Sequence, residues 1–353
     1  MSVDASGPPE VLRVEGLRVI YDTPSGPVRA VDGVSFTLRA GERMGLIGES
    51  GSGKTTLGTA IVRLHRPPAR IVGGSVLVNG KDFSRADERQ MRMMRMRDLA
   101  LIPQAAMNSL NPVMRVGDQV ADGIVAHEGK IARRAIAERV AGALTQVGLA
   151  AGVANRYPHQ LSGGQRQRAA MAVATALHPR IIVADEPTSA LDVVVQRQVM
   201  LTLGRLQQGL QAAVLLIGHD MGLIAQFADT VGVLYAGRLV EQGPVDEVLE
   251  YPRHPYTRLL IDSLPTLDDK KALRGIPGLP PSLLELPPGC AFAPRCPYAF
   301  ERCRIEAPLL QQVAAGQLAA CHLYPEHAVL PPLPASAHLP VVAPAAEPEI
   351  ATP

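Results

Sequence analysis

An α/β fold is predicted by three features of the sequence. A glycine-rich loop, residues 48–56, follows an apolar run and precedes a segment with helical character. A second apolar, β-rich run, residues 181–184, ends directly in two carboxylates, as a buried parallel strand does where it opens at a site. Residues 181–240 then alternate strand-like and helix-like stretches. That alternation is typical of βαβ architecture.

The glycine-rich loop fits the pattern G-x-x-x-x-G-K-[ST], which predicts a phosphate-binding loop. Its glycines let the backbone turn tightly, so that N–H groups point inward around phosphates. The lysine reaches the β- and γ-phosphates, and the following threonine hydroxyl binds Mg²⁺. The next helix presents its positive end to the anion. The predicted nucleotide-binding residues of the loop are Gly48, Ser50, Gly51, Ser52, Gly53, Lys54, Thr55 and Thr56.

Asp185 and Glu186 are the two carboxylates after the second apolar run. Asp185 lies where a strand tip holds Mg²⁺, and Glu186 lies where it polarises a water for attack on a γ-phosphate. The alternative is a buried strand followed by a solvated acidic turn, and the presence of the phosphate-binding loop disfavours it.

Length and composition exclude several classes of protein. The 353 residues suffice for a large core and an appendage. No uninterrupted apolar run reaches transmembrane length, and the N-terminus lacks the basic start and apolar segment of a signal peptide. A net charge of only +2 gives no reason to expect a nucleic-acid partner.

The remaining segments have coarser patterns. Residues 11–45 predict antiparallel strands, and residues 76–80 predict a further strand and turn. Residues 84–98, rich in Arg and Met, predict a surface helix, with a solvated basic helix favoured over an amphipathic one. Residues 113–160 have helical spacing. The Pro/Ala-rich tail from about residue 328 lacks core periodicity and is expected to be extended or disordered, without a function of its own.

The segment L-S-G-G-Q at residues 161–165 makes the chain similar to the ATP-binding cassettes of ABC transporters, whose signature it is. Gln104 fits that family's Q-loop, Asp192 its D-loop and His219 its switch histidine. Tyr21 lies where the family places an aromatic ring on adenine. The resemblance covers roughly residues 11–325. It implies an ABC-type P-loop NTPase core with an antiparallel β subdomain, a helical signature subdomain and a small Cys/Pro-rich C-terminal extension.

The resemblance also implies roles for individual residues. The catalytic set is Glu186, His219 and Gln104, and the Mg²⁺ ligands are Thr55, Gln104 and Asp185. A serine cap at a helix N-terminus forms an anion site. In the family, this site closes over ATP bound by a partner cassette, and the D-loop aspartate lies across the dimer seam. The signature residues are Leu161, Ser162, Gly163, Gly164 and Gln165.

Two regions resemble one branch of the family, the importers of dipeptides, oligopeptides and nickel. One is S-L-N-P at residues 109–112, although Ala105-Ala106 replaces the Asp-Pro found more often before it. The other is the C-terminal region, with motifs at residues 254–257, 286–290 and 292–297. The implied function is ATP hydrolysis coupled to peptide uptake. Alternatives are the uptake of nickel or another small solute, a soluble ABC ATPase acting on DNA or ribosomes, and a redox- or iron-sensing regulator.

The same resemblance implies partners, a location and domains. The partners are a second, identical or homologous cassette, two membrane permeases and an extracytoplasmic solute-binding protein, without nucleic acid. The chain is expected at the cytoplasmic face of the inner membrane as a peripheral subunit. The predicted domains are a flexible N-terminus (1–10), the ATPase domain (11–250, with a helical subdomain at about 113–170), the extension (251–327) and a disordered tail (328–353).

All four cysteines fall in the extension, with the spacing C-x5-C-x6-C-x17-C. In reducing cytosol disulfides are not expected, and four thiolates can bind zinc or an iron–sulfur cluster. The spacing alone fits neither the C-x2-C pairs of zinc sites nor the cysteine runs of common ferredoxins, and it favours free thiols. Some dipeptide-importer ATPases hold a [4Fe–4S] cluster in this position, so the resemblance implies a structural cluster, with zinc and free thiols as alternatives. Its ligands are Cys290, Cys296, Cys303 and Cys321.

Overall fold

The computed structural model describes residues 7–189, 191–264, 275–324 and 329–332. The chain divides into two compact units, the first ending at Leu239 and the second beginning at Val240. The strands are β1 (Glu10–Thr23), β2 (Gly26–Arg39), β3 (Arg43–Ile47), β4 (Ala69–Val78), β5 (Lys81–Asp82), β6 (Leu99–Ile102), β7 (Ile181–Asp185), β8 (Ala213–Ile217), β9 (Thr230–Tyr235), β10 (Arg238–Pro244), β11 (Gln311–Ala314) and β12 (Gln317–Ala319). The helices are α1 (Lys54–Ile61), α2 (Glu88–Met94), α3 (Val116–Glu128), α4 (Arg133–Gln146), α5 (Gly163–Thr175), α6 (Val193–Leu210), α7 (Met221–Phe227), α8 (Val245–Glu250), α9 (Pro255–Asp262) and α10 (Glu301–Ile305).

The first unit contains an antiparallel sheet with the strand order β2-β1-β4-β5. Its residues alternate between buried and exposed along β2, as expected of strands with one face on a core. The predicted antiparallel pairing is present for β1 and β2. It is wrong for the last residues of the 11–45 segment, because β3 pairs in parallel with β8 and β9. The apolar side chains of β3 need cover on both faces, which only a central position supplies.

The same unit contains a parallel sheet with the order β9-β3-β8-β7-β6. Every residue of β7 and β8 is buried, and both strands are rich in Val, Ile and Leu. Such runs are typical of parallel strands covered on both faces. Because the strands are parallel, their carboxyl ends lie along one edge, and the loops that follow them meet there.

A helical region lies between β6 and β7. Helices α3 and α4 lie in the segment for which helical spacing was predicted, and they pack against each other and against α5, which follows that segment. By contrast, α2 covers only Glu88–Met94, which is shorter than the predicted helix over residues 84–98. Asp87 and Gln90 form a capping box that fixes its start. Within the described ranges, no helix combines the length and hydropathy needed to span a membrane.

The second unit begins at Val240, earlier than the predicted extension boundary at residue 251. Strands β10, β12 and β11 pair antiparallel in that order. The buried Glu241 on β10 organises the surrounding loops. Its carboxylate accepts the backbone N–H groups of Arg253 (2.7 Å) and His254 (2.9 Å) and the Nε2 of Gln317 (3.0 Å). Burial raises the pKa of Glu241 to about 7, and these hydrogen bonds oppose that rise.

We expect Glu241 to make the chain less stable as the pH rises from 6.5 to 8. The folded protein keeps the Glu241 proton up to a pKa of about 7, whereas the unfolded chain releases it near 4.5. Its stabilising contribution is therefore complete below about pH 4.5 and is lost as the pH passes through 7. Through Glu241 alone, the melting temperature should fall by about 1 °C over this interval. Differential scanning calorimetry at pH 6.5 and pH 8 measures this fall in melting temperature.

Glu241→Gln removes the titration, so its melting temperature should fall less between pH 6.5 and 8. Burial lowers the pKa of His254 to about 3, so this residue adds stability as the pH rises through about 6.5, where the imidazole of the unfolded chain loses its proton. This opposing effect is present in both proteins, so it cancels when their pH slopes are compared. Equal pH slopes for the wild type and the variant would contradict the assignment.

Candidate functional site

The predicted site residues come together at the carboxyl edge of the parallel sheet. The loop with Lys54 follows β3, Asp185 ends β7, His219 follows β8 and Gln104 follows β6. These four strands are neighbours in the order β3-β8-β7-β6. Residues more than 160 positions apart in the sequence therefore share one site, at the edge where open α/β sheets bind ligands.

Two glycines shape the phosphate-binding loop. Gly48 has a φ of 148°, and a Cβ atom there would lie 2.1 Å from the Leu234 carbonyl oxygen. Gly53 has a φ of 103°, and its Cβ would lie 2.1 Å from the Ala30 carbonyl oxygen. Both positions therefore require glycine for two reasons, the backbone conformation and the close approach of a second chain segment.

Lys54 is the cation of the loop. Its Nζ donates to the carbonyl oxygens of Gly48 (2.7 Å) and Glu49 (2.9 Å), and the residue is buried. Burial lowers the pKa of Lys54, while the carboxylates of Glu186, Asp185 and Glu49 oppose that shift. The positive charge of Lys54 thus lies inside the loop, where it would face a bound phosphate.

Oxygen atoms suited to Mg²⁺ meet beside this lysine. The Thr55 hydroxyl donates to Oδ1 of Asp185 at 3.1 Å, and burial raises the pKa of that carboxyl. A hydroxyl and a carboxylate are the hard ligands that Mg²⁺ prefers. The Tyr21 hydroxyl lies 3.0 Å from Oγ1 of Thr56, so this ring is held next to the loop.

Both oxygens of the Glu186 carboxylate have a polar neighbour. Gln104 Nε2 donates to Oε2 at 2.8 Å, and Nδ1 of His219 lies 3.3 Å from Oε1. Glu186 has a φ of 43°, a strained value for a residue other than glycine, and its N–H donates to the Ile217 carbonyl at 2.9 Å. Glu186 thus contacts the other two residues predicted to be catalytic, Gln104 and His219.

The signature segment begins α5 with the predicted serine cap. Ser162 Oγ accepts the Gln165 N–H at 3.3 Å, and Gln165 Oε1 accepts the Ser162 N–H at 3.0 Å. A Cβ atom on Gly164 would lie 2.6 Å from Val195, so α5 approaches α6 closely at this point. Asp192 caps α6 by accepting the Val195 N–H at 3.0 Å. Both motifs therefore lie at helix N-termini, which favour anions.

One link in this region has no signal in the sequence. Gln167, on α5, is buried, and its Oε1 accepts the Met107 N–H at 3.1 Å. Met107 lies three residues after Gln104, so the signature helix is tied to the segment that leaves the Q-loop position. A glutamine inside a helix gives no pattern from which this contact could be predicted.

The four cysteines line one small cavity of the second unit and form no disulfide. Burial raises the pKa of the Cys296 thiol, and it raises the pKa of Cys321 to about 12. Among the described residues, however, no three Cys, His, Asp or Glu side chains are grouped closely enough to hold a metal ion. The described residues therefore form no ready metal site, and the predicted iron–sulfur cluster stays a prediction.

Two family models match the chain. The model described as ABC transporter spans residues 31–189, and the model described as oligopeptide/dipeptide transporter, C-terminal region, spans residues 240–303. The oligopeptide transport ATP-binding protein OppD of Salmonella typhimurium is 43% identical over 314 residues, which are 88% of this chain and 93% of that protein. The chain belongs to the ABC transporter family. It is accordingly an ATPase that uses ATP with Mg²⁺.

Other relatives agree with this membership. The dipeptide transport ATP-binding protein DppD of Escherichia coli is 42% identical over 320 residues, covering 89% of this chain and 97% of that protein. The ATP-binding cassette MJ0796, solved as a dimer bound to ADP and Pi, has a TM-score of 0.60 and 26% identity, covering 66% of this chain and 98% of that chain. The predicted ABC-type cassette fold is therefore confirmed.

Proposed function

We propose that the chain drives peptide uptake by hydrolysing ATP at the interface between two cassettes. The observation that carries this proposal is the combination of a complete ATPase edge with a C-terminal region of the oligopeptide/dipeptide type. The names of the similar proteins support a peptide cargo over nickel, since they refer to oligopeptide and dipeptide transport.

Each side chain at the sheet edge has a proposed task. Lys54 neutralises charge on the β- and γ-phosphates, and Thr55 and Asp185 hold Mg²⁺ together with Gln104. The Mg²⁺ supplies charge neutralisation on the phosphate oxygens. Glu186 polarises the attacking water, and His219 orients the γ-phosphate. Phosphoryl transfer depends mainly on such positioning, which the contacts around Glu186 provide.

The proposed dimer places the signature of one chain over ATP held by the other. Ser162 and the N-terminus of α5 form an anion site, and Asp192 lies at the seam. A solved dimer of a similar cassette supports this arrangement. We further propose that two permeases and an external solute-binding protein complete the importer, which places the chain at the membrane as a peripheral subunit.

The test of this function is uptake by the assembled transporter. The tagged chain would be purified from its native membranes, its partners identified by mass spectrometry, and the complex reconstituted in vesicles with labelled dipeptides or ⁶³Ni²⁺. ATP-dependent dipeptide uptake supports the proposal. Uptake of nickel but not of dipeptides would instead support nickel as the cargo. Co-purification with ribosomal or DNA-repair proteins and no permease would overturn it.

We also propose that the cysteine cavity holds a structural [4Fe–4S] cluster. The support is that Cys290, Cys296, Cys303 and Cys321 all line this one cavity. When bound, the cluster would supply four covalent cross-links to a proline-rich unit that can bury little core of its own.

Cys296→Ser should therefore lose the iron and loosen the second unit. Iron and sulfide content and the visible absorption of anaerobically purified protein report on the first effect, and limited proteolysis reports on the second. Zinc in place of iron would indicate the alternative metal, and the absence of both metals would indicate free thiols. Unchanged protease resistance in an iron-free variant would exclude a structural role.

A further inference from the structure

Part of the tail contacts the second unit, although the sequence predicted a tail without function. Leu330 packs against a buried cluster formed by Ala319, Cys321, Leu323 and Tyr324. Apolar burial of Leu330 therefore helps to hold the described part of the tail in place.

The Pro331 carbonyl oxygen is held by two donors. Arg258 Nη1 donates to it at 2.9 Å, and the Tyr298 hydroxyl donates to it at 2.8 Å. Arg258 Nη1 also donates to the Tyr298 hydroxyl at 3.2 Å, so the two donors orient each other. Because one charged and one neutral donor converge on the Pro331 carbonyl, they hold this backbone position in one defined place.

These contacts lie beside a groove in the second unit. Tyr251, Pro252 and Ile261 line it, and Val329 and Leu330 form another part of its wall. Aromatic and aliphatic walls with side-chain donors to carbonyl oxygens are how proteins bind extended proline-containing segments. A proline also loses little conformational freedom on docking, because its φ is already fixed.

We propose that residues 329–332, here called the strap, are an intramolecular ligand that docks on Arg258 and Tyr298 along the wall of this groove and brace the cysteine cavity. Tyr298 connects the two features, because it binds the strap and also lines the cavity with the four cysteines. Attachment in the same chain gives the strap a high effective concentration, so a few contacts suffice to keep it docked. This inference does not depend on the transport function.

The test measures how often the strap leaves its contacts with Arg258 and Tyr298 in the full chain. Elastase cuts after small residues, and the Ala328–Val329 bond directly precedes the strap. Tyr298→Phe should speed this cleavage about fivefold, and Tyr298→Phe with Arg258→Met should speed it at least about tenfold, because cleavage tracks the undocked population. Neither change alters the residues around the cleaved bond, so the cleaved sequence stays the same.

Tyr157→Phe is the matched control, since it removes a tyrosine hydroxyl from the first unit and should leave the rate unchanged. Equal melting temperatures of the wild type and the variants would show that faster cleavage is not caused by general unfolding. Amide exchange of Ala299, whose N–H donates to the Cys296 carbonyl at 3.2 Å, reports on the bracing and should become several-fold faster in the double variant. Cleavage within twofold of the wild type in a folded double variant would overturn docking, and unchanged Ala299 exchange would overturn the bracing role.

Discussion

Glu186→Gln should reduce ATP turnover by about 100-fold or more while leaving ATP binding intact. Glutamine keeps the size of the side chain and an oxygen that can accept from Gln104, but it cannot polarise water as a carboxylate does. The loss should therefore appear in kcat, because the interaction acts on the reacting water. A phosphate-release assay at saturating ATP measures it.

A second effect of Glu186→Gln should be visible in the state of assembly. If hydrolysis is what separates two cassettes, ATP should hold the variant as a dimer that size-exclusion chromatography detects. Glu138→Gln is the matched control, because Glu138 is exposed on α4 and pairs only at the surface with Arg134. Hydrolysis by Glu186→Gln at the wild-type rate would contradict the assigned role.

Gly48→Ala should weaken ATP binding by about 10- to 100-fold, which corresponds to backbone strain of about 1–3 kcal/mol. The new Cβ would lie 2.1 Å from the Leu234 carbonyl oxygen, and the φ of 148° is unfavourable for alanine. The loop must move to relieve both problems, and its N–H groups then point away from the phosphates. Fluorescent-nucleotide titration measures the effect.

Gly51→Ala separates the close contact from the backbone effect. Gly51 also has a positive φ, 78°, but nothing lies within 4 Å of the position a Cβ would take. This variant should lose only a small factor in affinity, about fivefold, from the conformational cost alone. Equal losses in both variants would show that the contact with Leu234 has no influence on binding.

The sequence could predict the phosphate-binding loop and the carboxylates that follow β7, because each pattern consists of residues adjacent in the chain. A glycine pattern fixes a loop conformation, and an apolar run ending in acids marks the end of a buried strand. The resemblance to ABC cassettes then added Gln104 and His219, which no local pattern identifies. Their contacts with Glu186 follow from the order of strands in the sheet.

Other contacts could not be predicted, because they join segments that carry no shared pattern. The pairing of β3 with parallel neighbours depended on where its apolar side chains could be covered on both faces. The bond from Met107 to Gln167 and the docking of Pro331 on Tyr298 each involve ordinary residues distant in the chain.

The sequence by itself determined the kind of site, since its motifs fix local backbone shape and the type of each reactive group. Only the tertiary structure decided which carbonyl oxygens exclude a side chain at Gly48 and Gly53, and which side chains hold the strap. The physical reason is that burial and close packing act between distant segments, so they appear only when the whole chain is folded.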